Sequence, residues 1–269
     1  MTAFIHHFTY DFRTGLRDKS LLLMNYLFPL ACFAMFGAIM TGINPTFKEQ
    51  IIPAMIIFGA MSSALLGLPN PVLASRESGI FRSFKINGVP AINIITVPVI
   101  GAIAHIVLVS VIITALARPL FGGALPVQWG NFVLVLLVNA FCMASLGMLI
   151  GVIAPNGRGT VLIGQVFYIP SVMLSGLMMP ASILPHALGR VALLLPATYA
   201  MNAFNGLAMG QAASGNPWIS LLVLLAGSLL AFGLSIFLFR WDSHNADKKR
   251  SPLFALLALL PYIVMFAIG

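Results

Sequence analysis

The residues best suited to recognition chemistry lie in one stretch, Ser75-Arg76-Glu77-Ser78-Gly79-Ile80-Phe81-Arg82-Ser83-Phe84-Lys85-Ile86-Asn87-Gly88-Val89-Pro90. If the stretch is helical, Phe81, Phe84 and Lys85 share a face, with Arg82 beside it. A short helix with apolar anchors and a basic rim suits docking into a groove on a soluble partner. A plain basic anchor at a membrane surface is the alternative. Glu77 sits near the expected helix start, where a carboxylate complements the positive end of the helix dipole. Gly79 has no Cβ, so a partner backbone can approach closely.

Other chemistry is sparse. His105 is the one imidazole inside a long apolar run. An ionisable group there is read by default as functional; a neutral histidine hydrogen-bonded to a neighbouring helix is the alternative. Ser175-Gly176 is too common a pair to suggest a serine nucleophile. None of the five lysines follows a glycine, so no P-loop can be written, and any ATP must be bound by another chain. Cys32 and Cys142 both lie in apolar runs and read as small hydrophobes. No catalytic residue, metal site or cofactor bound by this chain is expected.

The elements that must position these residues follow from composition. Of 269 residues, 60% are hydrophobic and 7% charged. A soluble domain carries about 25% charged residues, so lipid is the solvent this surface suits. A spanning helix needs roughly 20 apolar residues. Such runs occur at 21–42, 51–74, 91–117, 131–154, 160–179 and 217–239, with a shorter one at 252–268. The six long runs contain no Asp, Glu, Lys or Arg, which argues against proton-coupled transport through intramembrane carboxylates. The net charge of +8 is explained by topology and does not suggest a nucleic-acid partner.

With a cytoplasmic N-terminus, eleven basic residues fall inside and three, Lys48, Arg118 and Arg190, outside. Trp129, Trp218 and Trp241 sit at run ends, where interfacial indoles are expected. The first run, beginning at Leu21, is too long for a signal-peptide core. Phe4, Phe8, Phe12 and Leu16 recur every four residues, and this predicts an amphipathic helix over 1–20 lying on the inner leaflet. The stretch 180–216 holds Pro180, Pro185 and Pro196 between short apolar pieces and carries only Arg190. Two short re-entrant helices fit it better than a polar loop. Gly147 and Gly151, and the series Gly59, Ser63 and Gly67, have the spacing of close helix packing, within or between chains.

The loop and two later segments resemble the ABC-2 type permease family. The family's Glu-x-Glu-x-Gly-Thr-Leu pattern is matched at Glu77 and Gly79, with Pro90 closing the loop; Ser75 and Ile80-Phe81 depart from it. Ser175-Gly176-Leu177-Met178-Met179-Pro180 is similar to the family's Ser-Gly…Pro turn, and Pro196-Ala197-Thr198-Tyr199-Ala200 to its Pro-x-Thr-Tyr-Ala segment. Asn205 stands where an Arg is usual. The resemblance covers about residues 1–240.

The resemblance implies an all-α, polytopic membrane protein. It comprises a cytoplasmic interfacial helix at 1–20, a six-helix transmembrane domain at 21–240, and re-entrant outer helices before the sixth span. The remainder, 241–269, a basic linker and an extra apolar segment, departs from that plan; the run 252–268 is apolar all round and is expected to form a seventh span. The resemblance also implies a coupling helix carrying Glu77, Gly79, Phe81, Arg82, Phe84 and Lys85 that meets a separate P-loop ATPase, two copies of each chain, and ATP bound on the partner. His105 is left as a pathway or packing residue. The expected function is an exporter permease in the plasma membrane, a bacterial inner membrane, moving an amphipathic substrate such as a drug or lipid. An ATP-independent channel or secondary transporter, and a polysaccharide-exporting permease, are the rivals.

Overall fold

A computed structural model describes Arg13 and residues 17–178, 184–241 and 251–268. Most of the expected helix over 1–20, with Phe4, Phe8, Phe12 and Leu16, lies outside the described residues, as does 242–250 in the basic linker. The described residues form helices and no strand.

Five helices are long and apolar enough to cross a membrane: α1 (Lys19–Ile43), α2 (Phe47–Glu77), α4 (Ala91–Phe121), α5 (Trp129–Ile153) and α9 (Pro217–Leu238). A short helix, α3 (Ile80–Ile86), separates α2 from α4. The expected run at 160–179 becomes α6 (Gly157–Leu174), which is less apolar than the five because it opens on Gly-Arg-Gly-Thr and carries Gln165. The stretch 180–216 contains α7 (His186–Ala192) and α8 (Pro196–Met209), bent by 92° at their junction. The stretch is thus two short helices, as expected, joined at a sharp bend.

Sequence explains where these helices start and bend. The Asp18 carboxylate accepts from the backbone N–H groups of Ser20 and Leu21 and begins α1. Two prolines reshape the helices that follow. A proline cannot donate to the carbonyl four residues back, and its ring crowds that carbonyl. Four residues before Pro29 is Asn25, and four before Pro69 is Leu65; each lies in a widened π-type turn, at Leu23–Leu27 and Ser62–Gly67. The two widened turns meet, and Ser63 Oγ donates to Asn25 Oδ1 at 2.8 Å.

The core sits around α2 and α5. Residues 51–65 of α2 are buried without a break, as are 142–152 of α5. The glycine spacing is used within the chain. A Cβ at Gly147 would collide with the Ala64 carbonyl, and one at Gly151 would meet Val72 and the Pro69 carbonyl, so α5 and α2 approach backbone to backbone. Gly59 and Gly67 face the side chains of Pro29 and Asn25 of α1, at looser distances.

The ends of the bundle separate the charges. Lys48 carbonyl accepts from Ala124 N–H, Glu49 carbonyl accepts from Gln211, and Ala208 carbonyl accepts from Val127 N–H, so Lys48, Arg118 and the re-entrant pair share one end. Arg76, Arg82, Lys85 and Arg158 gather at the other.

The extra C-terminal segment, α10 (Pro252–Ile268), packs antiparallel along α9. Phe254 meets Phe237, Tyr262 covers Gly227, and Phe266 lies 5.3 Å beneath the Arg190 guanidinium beside the re-entrant helices. Its first eight residues are a 3-10 helix and its last nine an α-helix. At about 2.0 Å and 1.5 Å per residue, α10 reaches about 30 Å, the thickness of a bilayer's hydrocarbon core.

Candidate functional site

The loop helix α3 is positioned by backbone conformation on both sides. Gly79 caps its start with φ of 78°, and Gly88 follows its end with φ of 73°. Both values lie in the left-handed region that a Cβ disfavours. A Cβ at Gly79 would meet nothing within 4 Å. Within the chain, Gly79 supplies the left-handed turn between α2 and α3, and the space beside it is open. Glu77 is the last residue of α2, and the first turn of α3 holds no acidic residue. The expected dipole role of Glu77 at the start of α3 is therefore not what the structure presents; its side chain is exposed.

Phe81 corrects a second expectation. It is only 6% exposed, and its ring packs 5.3 Å from Phe239 at the end of α9. An aromatic ring with an apolar cluster of its own chain within reach is held there by burial. Phe84 is half-buried against the same core. The exposed apolar residues of α3 are Ile80 and Ile86, the latter 78% exposed, flanked by exposed Arg82 and Lys85.

The base of α3 is anchored by Arg76. Its guanidinium donates to the carbonyls of Val152 and Ala154, at 2.5 and 2.6 Å. These belong to the last turn of α5 and its cap, where a helix has unsatisfied carbonyls and partial negative charge. Alongside, Thr160 Oγ1 donates to Asn70 Oδ1 at 2.5 Å, tying α6 to α2. Charge counting alone made Arg76 one of many basic residues; its partners come from a distant helix.

His105 is 5% exposed in α4. Its Nδ1 is hydrogen-bonded to the Tyr26 hydroxyl of α1 at 2.6 Å, with the two rings edge to face. A histidine hydrogen-bonded to a neighbouring helix is thus what the structure contains. His105 also borders a cavity of about 840 Å³ between α1, α2, α3 and α4, with Asn25 and Ser63 near it. Asn25 and Tyr26 went unnoticed in the sequence, although polar side chains are few within the first run and could have marked them.

At the opposite end, Thr198 and Tyr199 make the re-entrant bend. The Thr198 hydroxyl donates to the Ala192 carbonyl at 2.7 Å, and the Tyr199 hydroxyl to the Leu193 carbonyl at 2.7 Å. Ser175 Oγ lies 3.0 Å from Thr198 Oγ1, joining the Ser-Gly turn to the Pro-x-Thr-Tyr-Ala segment. Among the described residues no cluster of His, Cys, Asp or Glu could hold a metal ion.

The long apolar helices define a polytopic membrane protein. Residues 2–209 match the model of the ABC-2 type transporter family, and the chain belongs to that family. The match ends at the close of α8, so α9 and α10 lie beyond it. No curated protein and no solved structure matches the chain. The chain is accordingly a multi-pass membrane protein and the permease part of an ABC transporter, without an ATPase domain matched in it.

Proposed function

We propose that this chain is the membrane subunit of an ATP-driven exporter, and that α3 is the element through which a separate P-loop ATPase moves it. The observation that carries this is α3 itself. It is set off from α2 by Gly79 in a left-handed conformation and presents Ile80, Arg82, Lys85 and Ile86 outward, beside exposed Glu77 at the end of α2, while Phe81 and Phe84 grip the bundle. A helix with an inward apolar face and an outward mixed face can take a push from a partner and pass it on as a rigid body.

Two permease chains and two ATPase chains form the working unit in this reading. The end bearing Arg76, Arg82, Lys85 and Arg158 faces the cytoplasm of a bacterial inner membrane, as the positive-inside rule requires. ATP binding closes the ATPases, and two arrangements of the helix bundle are biased by that closure. An amphipathic substrate suits an interior in which Met and Phe are abundant and spans carry no carboxylate. The residues of this chain bind and position; they break no bond.

The test is purification of the native complex. An ATPase subunit that co-purifies, and substrate-driven transport that stops when its P-loop lysine is replaced, supports the reading. Transport by this chain alone in vesicles without ATP would show a channel or secondary transporter instead.

A further inference from the structure

The cavity of about 840 Å³ bordered by His105 is the feature that the permease reading does not use. Its volume lies within the range of small-molecule sites, about 300–1,000 Å³. It runs from exposed Asn87 and Gly88, after α3, to buried Asn25, Ser63 and His105. Along α4 it extends from Asn93 to His105, about 18 Å at the α-helical rise.

Three independent irregularities converge on it. The widened turn of α1 supplies Asn25, and that of α2 supplies Ser63. Widened turns of this kind occur frequently at functional sites. The wall from α4 contains Ile94 and Pro98, and Pro98 cannot donate to the Ile94 carbonyl one turn back. The lining therefore combines apolar side chains with a few placed polar groups, the composition of a ligand site. Among the described residues, no Asp, Glu, Lys or Arg lines it.

We infer that this cavity binds an uncharged, single-chain amphipath. Its polar head sits at the mouth between Asn87 and Asn93. Its apolar body lies along Ile94, Pro98 and Ala102. The floor is formed by Asn25, Ser63 and His105, which already hold hydrogen-bond partners, Ser63 on Asn25 and Tyr26 on His105, so an apolar tail end strips little from them. A charged head is disfavoured because the described lining residues offer no counter-charge. Phe81 and Phe84 of α3 form part of the same wall. An occupant therefore braces α3 against α4. Resting on the exporter reading, this makes the cavity the place where substrate and ATPase sense each other.

The experiment uses the full chain in phosphatidylcholine vesicles with a monoacylglycerol bearing a diazirine on its acyl chain, photolysed and mapped by mass spectrometry. Labelling is expected at residues 93–105, at least fivefold above the lipid-facing positions Leu108 and Val111 of the same helix. Ala102→Phe, which fills the wall, and Val89→Trp, which narrows the mouth from a loop position, each reduce it at least fivefold; Val89→Trp still decides the matter if Ala102→Phe does not fold. Displacement by monoolein in the bilayer assigns the occupant to membrane lipid, displacement only by soluble monocaprylin assigns it to a solute, and displacement by dioleoylglycerol overturns the single-chain form. Labelling at 93–105 no stronger than at Leu108 and Val111, or unchanged by Val89→Trp, or displaced equally by lysophosphatidylglycerol, overturns the inference. The labelling needs no ATPase, so its failure leaves the exporter reading standing. Failure of the co-purification test leaves the binding site standing.

Discussion

The ring of Phe81, in the loop after α2, lies 5.3 Å from the ring of Phe239, 158 positions later at the end of α9. Phe239 in turn stacks edge to face on Trp241 at 5.3 Å. The short helix is thus clamped between the base of α2, where Arg76 reaches the end of α5, and the base of α9. Contacts at this end of the bundle thus join α3 to the end of α9 and α2 to the end of α5.

The first prediction concerns this clamp. Phe81→Ala removes a buried ring and should destabilise the purified protein by about 3–5 kcal/mol, the usual cost of such a truncation. Phe239→Ala should do the same, and the double variant should cost less than the sum, because the two rings share one contact. Thermal unfolding of the four proteins measures the cycle. Strict additivity would show that α3 is not clamped in this way.

Partner docking is predicted to depend on different residues, of α3 and of the end of α2. Ile86 is 78% exposed and Glu77 is exposed. Ile86→Asp and Glu77→Ala should therefore change stability by no more than about 0.5 kcal/mol. Co-purification of the ATPase should fall at least tenfold, a loss of about 1.4 kcal/mol. Lys85→Ala should be milder, as solvated rim charges mainly set orientation. Full ATPase recovery with both Ile86→Asp and Glu77→Ala would reduce α3 to a basic anchor.

Gly79 is predicted to be sensitive through its backbone alone, since a Cβ there meets nothing. Gly79→Ala should cost about 1–2 kcal/mol from the left-handed conformation, and Gly79→Asn less. ATPase-driven transport should rank Gly79 above Asn and Asn above Ala. Equal transport by Ala and Asn would mean that the turn has reorganised.

Arg76 holds two carbonyls with one planar fork. Hydrogen bonds from a charged donor contribute about 1.5–3 kcal/mol each. Arg76→Ala should lower the melting temperature markedly. Arg76→Lys should recover only part, because a single ammonium does not reproduce the fork. Full recovery by Lys would show that charge at the end of α5, and not the paired geometry, is what matters.

The C-terminal segment is predicted to cross the membrane and leave the C-terminus outside. A periplasmic-type reporter fused after Gly269 should be active, and a cytoplasmic one inactive. Gly227→Leu pushes against Tyr262 and should detach α10, exposing residues 252–268 to protease or labelling reagents. A cytoplasmic reporter active in the wild-type chain would mean that α10 turns back without crossing.

Much of this architecture was written in linear patterns. Runs of apolar residues have a length that lipid dictates, so α1, α2, α4, α5 and α9 could be drawn from hydropathy alone. The re-entrant pair was legible because prolines cut an uncharged stretch into pieces too short to span. Gly79 and the Pro-x-Thr-Tyr-Ala segment were legible as motifs, because turn chemistry is local. What could not be read was the direction of each side chain on α3. Periodicity placed Phe81 and Phe84 on one face, but whether that face looks to a partner or to the bundle depends on Phe239, a residue the chain reaches only after four further long helices. The tertiary structure decided that question, and it also brought Arg76 to Val152 and Ala154, Tyr26 to His105, and Tyr262 to Gly227. Each of these is a meeting of distant helices, and packing several helices into one bundle is a global property that no local spacing contains.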